Sequence, residues 1–165
     1  MAIDQVRAYL KQFNREQDII ETDTSTATVT TAANALGVIP ARIAKSISLR
    51  KDDAAMLVVA SGDMKLDNGK FKGRFGFKAR MLSAEEVLRF TGHAPGGVCP
   101  FALPEGIDVY LDVSLQRFQT IFPACGSANS LIELTPEELG AYSKSVEWVD
   151  VCKPVEELRE STTPP

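Results

Sequence analysis

The sequence has few of the residues that build metal sites and histidine-dependent active sites. It contains one histidine, His93, and three cysteines without CxxC or zinc-type spacing, so no metal site is expected. A serine hydrolase triad would have to use His93, and the GxSxG stretch of many such enzymes is missing. P-loop and GxGxxG patterns are missing as well. We interpret His93 as a polar residue of a loop.

Long apolar segments are absent too. No stretch approaches the ~20 apolar residues that span a bilayer. The polar N-terminus lacks the basic region and apolar run of a signal peptide. An odd number of cysteines fits a reducing compartment. These features predict a cytoplasmic protein with no membrane partner.

The net charge of the chain is small, but its cations are concentrated in one segment. The 165 residues carry a net charge of −4, which argues against a general nucleic-acid binder. Residues 65–80 nevertheless contain six cations and the single acid Asp67, a local charge of +5 that leaves −9 for the rest. Asp67-Asn68-Gly69 is a turn signal, so this basic window is either a solvated hairpin or a patch that contacts phosphates.

The periodicity of the apolar residues predicts a single α+β domain with a mixed β-sheet, because hairpin signals accompany strands that alternate with short helices. Two capping boxes, at Ser83 and Thr135, open helices. The charged, proline-ended tail from Lys153 is expected to fray. Helices are predicted over 6–13, 30–36, 83–92 and 135–143, an extended segment over 19–29, and strands over 43–50, 54–61, 107–112, 118–124, 131–134 and 146–151.

Lys45 is the most informative single residue. In the predicted strand 43–50 it shares a face with Ile47 and Leu49, because side chains alternate between the two faces of a strand. A lysine on an apolar face is costly unless it is paired or lines a cavity. Lys45 is therefore either a strand-end lysine that extends to solvent or a lysine at the mouth of a pocket, where its surroundings set its charge.

Three loops are candidates for the rest of a site. The Gly96-Gly97 pair of the first lets the backbone approach a ligand and offer N–H groups to an oxyanion, although a plain tight turn has the same composition. Gly126-Ser127-Ala128-Asn129 is a turn between strands, and Ser25-Thr26-Ala27-Thr28 holds more hydroxyls than helix capping requires. Cys99 is a further possible nucleophile, with no base near it in sequence.

Four segments together resemble the YbaK/EbsC family, which includes the editing domain inserted in some bacterial prolyl-tRNA synthetases. The resemblance covers residues 5 to 150. It implies a mixed-sheet, barrel-like α+β fold with flanking short helices. It also implies hydrolysis of the ester between a wrong amino acid and the tRNA 3′ adenosine, without metal or organic cofactor. The segments are STATVTTAANALGVIPARIAKSISLR (25–50), GHAPGGVCPFALP (92–104), VYLDVSL (109–115) and ACGSANSLIELTPEEL (124–139).

The resemblance also implies roles for particular residues. Lys45 matches the family's functional lysine, and Cys99 stands where a serine is commoner. The last loop departs from the serine-glycine-glycine-lysine-arginine stretch of the cysteinyl-tRNA deacylases, and Ile19 and Ile20 replace an aromatic residue of some members. Cysteine, alanine or another small residue thus stays open as the substrate. The expected substrate-binding residues are Ser25, Thr26, Thr28, Ser46, Gly96, Gly97, Val98, Gly126, Ser127 and Asn129.

We therefore predict a trans-editing hydrolase that removes a small amino acid such as Ala or Cys from tRNA(Pro). Its domain spans residues 1–152, followed by a flexible tail over 153–165. The expected partners are the aminoacyl-tRNA 3′ end, contacted by Lys70, Lys72 and Arg74, and an aminoacyl-tRNA synthetase. The alternatives are a non-catalytic module that binds tRNA or a synthetase, and a hydrolase of small acyl esters that uses Cys99.

Overall fold

The computed structural model describes residues 2–155, which form five α-helices and nine β-strands. The helices are α1 (Ala2–Leu10), α2 (Val29–Leu36), α3 (Asn68–Phe75), α4 (Ala84–Thr91) and α5 (Pro136–Ser143). The strands are β1 (Ile20–Glu21), β2 (Ile43–Lys51), β3 (Ala54–Ser61), β4 (Met64–Leu66), β5 (Asp108–Asp112), β6 (Phe122–Pro123), β7 (Ser130–Leu131), β8 (Glu147–Val149) and β9 (Cys152–Pro154).

Five strands form a mixed sheet in the order β6-β2-β3-β5-β8. Strands β2 and β3 make an antiparallel hairpin, and the other three contacts are parallel. The sheet curls into a half-barrel. Two small ladders, β1-β7 and β4-β9, complete the domain. This architecture confirms the predicted α+β fold with a mixed sheet.

The hydrophobic core lies on both faces of the sheet. On one face, Leu57 and Val59 pack in a cluster with Val6 and Leu10 of α1. On the other, Val58 packs in a cluster that includes helix α3. Burial on both faces explains why β3 reads as a continuous apolar run instead of an alternating pattern.

Local capping signals set several helix ends. The predicted capping boxes of α4 and α5 are both present. Helix α2 has one as well, in which the Thr28 hydroxyl accepts a hydrogen bond from the Thr31 amide at 3.1 Å. The predicted extended segment 19–29 therefore ends at Thr28, and only Ile20–Glu21 of it pairs as a strand.

The prediction of a hairpin in the basic window is wrong. Asp67 caps helix α3, since its carboxylate accepts a hydrogen bond from the Lys70 amide at 3.0 Å. An Asp-Asn-Gly stretch suits the start of a helix as well as a turn. Burial of Phe71 decides between the two, because only a helix brings it against the core with Phe75 beside it.

The strands near the C-terminus also differ from the expected ranges. Pairing within 118–124 and 131–134 is limited to β6, β7 and the isolated bridges Ile121–Leu134 and Ala124–Leu131. Lys153 and Pro154 belong to β9, which pairs with β4, so the chain stays in the fold beyond the predicted boundary at 152. The rest of the predicted tail, from 156, lies outside the described residues.

Candidate functional site

Backbone pairing along the outer edge of β2, the edge away from β3, is interrupted in the middle of the strand. At its start, Ile43 and Ala44 pair with β6. Towards its end, Ser48 and Arg50 bond to the segment 80–82. Between these two contacts, no described residue pairs with the outer edge of β2. A cavity of about 240 Å³ lies beside this opening.

The walls of the cavity come from four parts of the chain. The polar part consists of Lys45 and the hydroxyl residues Thr26, Thr28 and Ser46. Glycine and small or branched apolar residues make up the remainder, so the lining offers hydroxyl groups and little bulk. The other lining residues are Ala27, Val29, Ile43, Ala44, Pro95, Gly96, Val98, Ala124 and Leu131.

Lys45 is half-buried at the edge of this cavity. It lies opposite the fully buried Ala60 in the β2–β3 register. Burial lowers the pKa of Lys45, and the electrostatic influence of Cys152 and Asp63 opposes that shift only in part. Within residues 2–155 no carboxylate lies within salt-bridge distance of the Lys45 ammonium group. Lys45 is therefore partly desolvated and has no ion-pair partner among the described residues, while Asp63 acts on it only from a distance.

Gly96 and Gly97 have different structural roles. A Cβ on Gly97 would lie 2.6 Å from the Ser127 nitrogen, so Gly97 is required by close contact between two loops. Its amide donates to the Ala94 carbonyl at 2.9 Å and is not available to a substrate. A Cβ on Gly96 would lie 3.1 Å from the Ala27 Cβ, at the cavity wall. The Gly96 amide lies in the first turn of the 3₁₀ segment Pro95–Gly97, where amides lack intrahelical acceptors.

The loop 126–129 supports the cavity from behind. The Ala128 carbonyl accepts a hydrogen bond from the Thr26 amide at 2.6 Å. The Asn129 side-chain amide donates to the Thr22 carbonyl at 3.0 Å. The Ser127 hydroxyl is shared with Asn129 Oδ1 at 3.0 Å and Ser130 Oγ at 2.6 Å. The bonds to Thr26 and Thr22 fasten the 22–26 segment to this loop, and the Ser127 bonds stabilise the loop itself.

The structure thus divides the expected substrate-binding residues into two groups. Those at the cavity are Thr26, Thr28, Ser46, Gly96 and Val98, together with Lys45. Those away from its lining are Ser25, Gly97, Gly126, Ser127 and Asn129. Apart from Val98, the apolar wall was not predicted, because alanine, valine and leucine carry no chemical signal of their own. Ala27 and Ala44 could have been found as neighbours of the predicted polar residues.

Cys99 and His93 turn out to be close together and fully buried. The Cys99 Sγ to His93 Nε2 distance is 3.6 Å, so the structure provides a neighbour that the sequence did not reveal. However, Nε2 lies 3.0 Å from the Phe101 carbonyl. A carbonyl can only accept, so Nε2 carries the proton and cannot take one from the thiol. Burial raises the pKa of Cys99 to about 12, and the pair belongs to the core.

The basic window is partly neutralised in the fold. Lys70 pairs with Asp150 at 3.1 Å, and Arg74 pairs with Glu147. Lys72 is exposed on the same helix, and within residues 2–155 no acid pairs with it. Of the three cations expected to contact tRNA, Lys72 is therefore the one without an acidic partner in the described part of the chain.

Two features are absent from the described residues. None of their helices has the length and hydropathy required to cross a bilayer. They also include no group of three or more His, Cys, Asp or Glu side chains placed to hold a metal ion.

Comparison with known proteins agrees with the resemblance noted in the sequence. The chain is 58% identical over 154 residues to the uncharacterized protein YwhH of Bacillus subtilis, covering 93% of this chain and 98% of that protein. It is 32% identical over 90 residues to the proline–tRNA ligase of Bacillus pumilus, covering 54% of this chain and 16% of the ligase. A crystal structure provisionally assigned as a trans-editing enzyme for prolyl-tRNA synthetase superposes with a TM-score of 0.83 at 30% identity, covering 92% of this chain and 97% of that one.

Residues 23–142 match the aminoacyl-tRNA editing domain family. That range contains Lys45, every residue of the cavity lining and the loop behind it. The match takes in most of the chain, and the fold agrees with it. The chain therefore belongs to the aminoacyl-tRNA editing domain family.

Proposed function

We propose that this protein hydrolyses mischarged aminoacyl-tRNA in trans and removes a small amino acid, alanine or cysteine, from tRNA(Pro). The observation that carries the proposal is Lys45, a half-buried lysine beside a small cavity at the open edge of β2, with no ion-pair partner within residues 2–155. Membership in the editing-domain family supports the reaction class. The likeness to a provisionally assigned trans-editing enzyme supports action on a separate tRNA.

The size of the cavity favours a small aminoacyl group. About 240 Å³ is below the ~300–1,000 Å³ typical of sites for drug-sized ligands. Apolar pockets discriminate by only ~1–3 kcal/mol per methylene when they bind the larger substrate. Steric exclusion is more effective, so we propose that the correctly charged tRNA is spared because the shape of the cavity walls, and not the cavity volume, rejects the prolyl ring.

The reaction needs an attacking oxygen and a stabilised carbonyl. Water adds to the ester carbonyl carbon, the bond to the ribose oxygen breaks, and that oxygen takes up a proton. The Lys45 ammonium group would stabilise negative charge on the carbonyl oxygen or hold the terminal phosphate. The hydroxyls of Thr26, Thr28 and Ser46 have no histidine base, because the only histidine of the chain lies in the core. The nucleophile is therefore water or a substrate group. The side-chain thiol of a cysteinyl ester would expel the ribose oxygen and leave a thiolactone, whereas attack by the neighbouring ribose hydroxyl only moves the acyl group, so that water must still complete the hydrolysis.

Contact with the tRNA body is proposed for helix α3. Lys72 is exposed and pairs with no acid of residues 2–155, and Lys70 and Arg74 can exchange their carboxylate partners for phosphates. A patch of this size predicts weak, salt-sensitive binding.

The experiment is a deacylation panel with purified protein. Ala-, Cys-, Ser- and Pro-tRNA(Pro) are incubated with the wild-type protein and with Lys45→Ala. The proposal requires hydrolysis of the alanyl or cysteinyl ester, sparing of the prolyl ester, and loss of turnover in the variant. Binding of tRNA without turnover of any ester would identify a non-catalytic module instead.

A further inference from the structure

The hydrogen bonds of β2 reveal which of its backbone groups face outward. The Arg50 amide donates to the Arg80 carbonyl at 2.8 Å, and the Ser48 carbonyl accepts from the Leu82 amide at 3.1 Å. Both residues therefore direct their backbone groups away from β3. Alternate residues of a strand point the same way, so Ser46 also directs its N–H and C=O to the outer edge.

The open end of the β2–β3 hairpin, opposite its turn, shows the same alternation of backbone directions. Ala44 lies opposite Ser61 in the register. The Ser61 amide donates to the Ser114 hydroxyl at 3.2 Å and not to Ala44. Ala44 and Ser61 thus form a non-hydrogen-bonded pair, and Ser46, two residues along, has the same orientation as Ala44.

Ser46 is the residue of this series that lies in the interruption of the sheet edge. Pairing with β6 ends at Ala44, and bonding to the segment 80–82 begins at Ser48. Among the residues that the structure describes, none bonds to the Ser46 amide or carbonyl. Ser46 also lines the cavity. A backbone donor and acceptor therefore stand unpaired beside the site, in the arrangement that an added strand would use.

An aminoacyl ester carries the complementary pair of groups. Its α-ammonium is a donor and its carbonyl oxygen an acceptor, one on each side of Cα, as in a single strand residue. We infer that the aminoacyl group docks on Ser46 as a one-residue antiparallel β-bridge. The ammonium donates to the Ser46 carbonyl, and the Ser46 amide donates to the carbonyl oxygen that becomes the oxyanion. This inference rests on the proposed deacylase function.

The bridge has a stereochemical consequence. Residues directly opposite in an antiparallel pair place their side chains on the same face. The side chain of an L-aminoacyl group would thus share the face of the Ser46 and Ala44 side chains. A D-aminoacyl group would turn its side chain to the opposite face, the one that carries Lys45.

The first test changes the substrate and leaves the protein intact. Wild-type protein is assayed with L-alanyl-, D-alanyl- and propionyl-tRNA(Pro), the last having the methyl group of alanine but no ammonium. Each rate is divided by the uncatalysed rate, because the ammonium itself activates the ester. We expect the catalysed enhancement to fall at least tenfold for the propionyl and D-alanyl esters, in the range of a lost charge-assisted hydrogen bond. Equal enhancement of the three esters would overturn the inference and leave the deacylase function standing.

The second test removes the backbone donor. An α-hydroxy analogue of alanine at position 46 replaces the amide N–H with an ester oxygen, and Ser46→Ala is the amide reference with the same side chain. We expect at least a tenfold lower kcat/KM with only a small fall in melting temperature. No described residue accepts from the Ser46 N–H, although the ester also makes the preceding carbonyl a weaker acceptor. The same replacement at Arg50 weakens a carbonyl in the same way and also removes the bond to Arg80, so it should lower the melting temperature more. Full activity of the ester at position 46 would overturn the inference, whereas inactivity of the wild-type protein on every ester would overturn the proposed function.

Discussion

Lys45 lies opposite Ala60 across the β2–β3 hairpin, on the sheet face where Ile47 and Leu49 are buried. A lysine in this position gives up part of its hydration, and burial lowers its pKa for that reason. Folding therefore places an unfavourable charge next to the cavity. A residue that costs stability at a site is expected to contribute to its function.

Replacement of Lys45 should separate activity from stability. We expect Lys45→Ala and Lys45→Met to lose deacylation. Less than about a tenth of the wild-type rate should remain, which corresponds to an activation barrier raised by at least ~1.4 kcal/mol. Lys45→Met keeps the apolar stem and removes the charge, so its free energy of unfolding should equal or exceed that of the wild type. Lys51→Ala is the control, since Lys51 lies on the same strand and pairs with Asp108 at 2.9 Å. Retention of activity in Lys45→Met would refute the role of the charge.

The pH dependence of stability should report the same lysine. The folded-state pKa of Lys45 is lowered, so the unfolded chain binds this proton more tightly. The contribution of Lys45 should therefore increase the free energy of unfolding as pH rises from the lowered pKa towards the ordinary lysine value of about 10.4. Denaturant titrations of wild type and Lys45→Met across this alkaline range test the difference. The two pH profiles should diverge, and parallel profiles would mean that Lys45 is not desolvated.

If the ammonium form of Lys45 acts in the reaction, its lowered pKa also limits activity. Deacylation, corrected for spontaneous ester hydrolysis, should fall as pH rises through that pKa, at a lower pH than for an ordinary lysine. A pH profile of the single-turnover rate measures this decrease at alkaline pH. A rate that kept rising beyond the ordinary lysine pKa would show that the neutral amine is the active form.

Substitution of Gly96 and of Gly97 should affect activity and stability to different extents. Gly97→Ala places a Cβ against the Ser127 backbone, and we expect a loss of ~1–3 kcal/mol of stability from overpacking. The Cβ of Gly96→Ala would lie 3.1 Å from the Ala27 Cβ and 3.6 Å from the Ala128 Cβ, at the cavity wall, so this variant should lower kcat/KM with a smaller effect on stability. Gly73→Ala is the control, because nothing lies within 4 Å of its Cβ and it should stabilise helix α3 by ~0.5–1 kcal/mol. Thermal unfolding and deacylation are measured together, and a fully stable, active Gly97→Ala would contradict the loop contact.

Activity should not depend on cysteine. All three cysteines are buried, and the raised pKa of Cys99 leaves it as the thiol at neutral pH. Brief treatment of the native protein with an alkylating reagent should leave deacylation of Ala-tRNA(Pro) unchanged, with mass spectrometry as the check on labelling. Inactivation that tracked labelling of Cys99 would favour the thiol hydrolase instead.

Helix α3 should contribute to KM and not to kcat. We expect Lys70→Glu combined with Lys72→Glu to raise KM, to leave kcat intact, and to lose this difference at high salt. Single variants refine the test, since Lys70 is held by Asp150 whereas no acid of the described chain pairs with Lys72. Lys72→Glu should produce most of the effect on KM, and an unchanged salt slope in the double variant would exclude this helix from tRNA contact.

Local signals in the sequence determined the elements of the fold. Capping boxes at Ser83 and Thr135 mark the starts of α4 and α5, and the apolar run 54–61 marks the central strand. Alternation along 43–50 placed Lys45 on the face of Ile47 and Leu49 without any structure. These features depend on neighbours within a few residues, which is why the sequence alone was sufficient.

Contacts between distant segments decided the site. The interruption in the edge of β2 exists because β6 ends its pairing at Ala44 and the segment 80–82 begins its bonding at Ser48. The proximity of Gly97 to Ser127, and of Lys70 to Asp150, likewise joins residues far apart in sequence. No local pattern encodes such distances. The tertiary structure therefore determined which polar groups line the cavity, which of them only support it, and which backbone groups of β2 are left free.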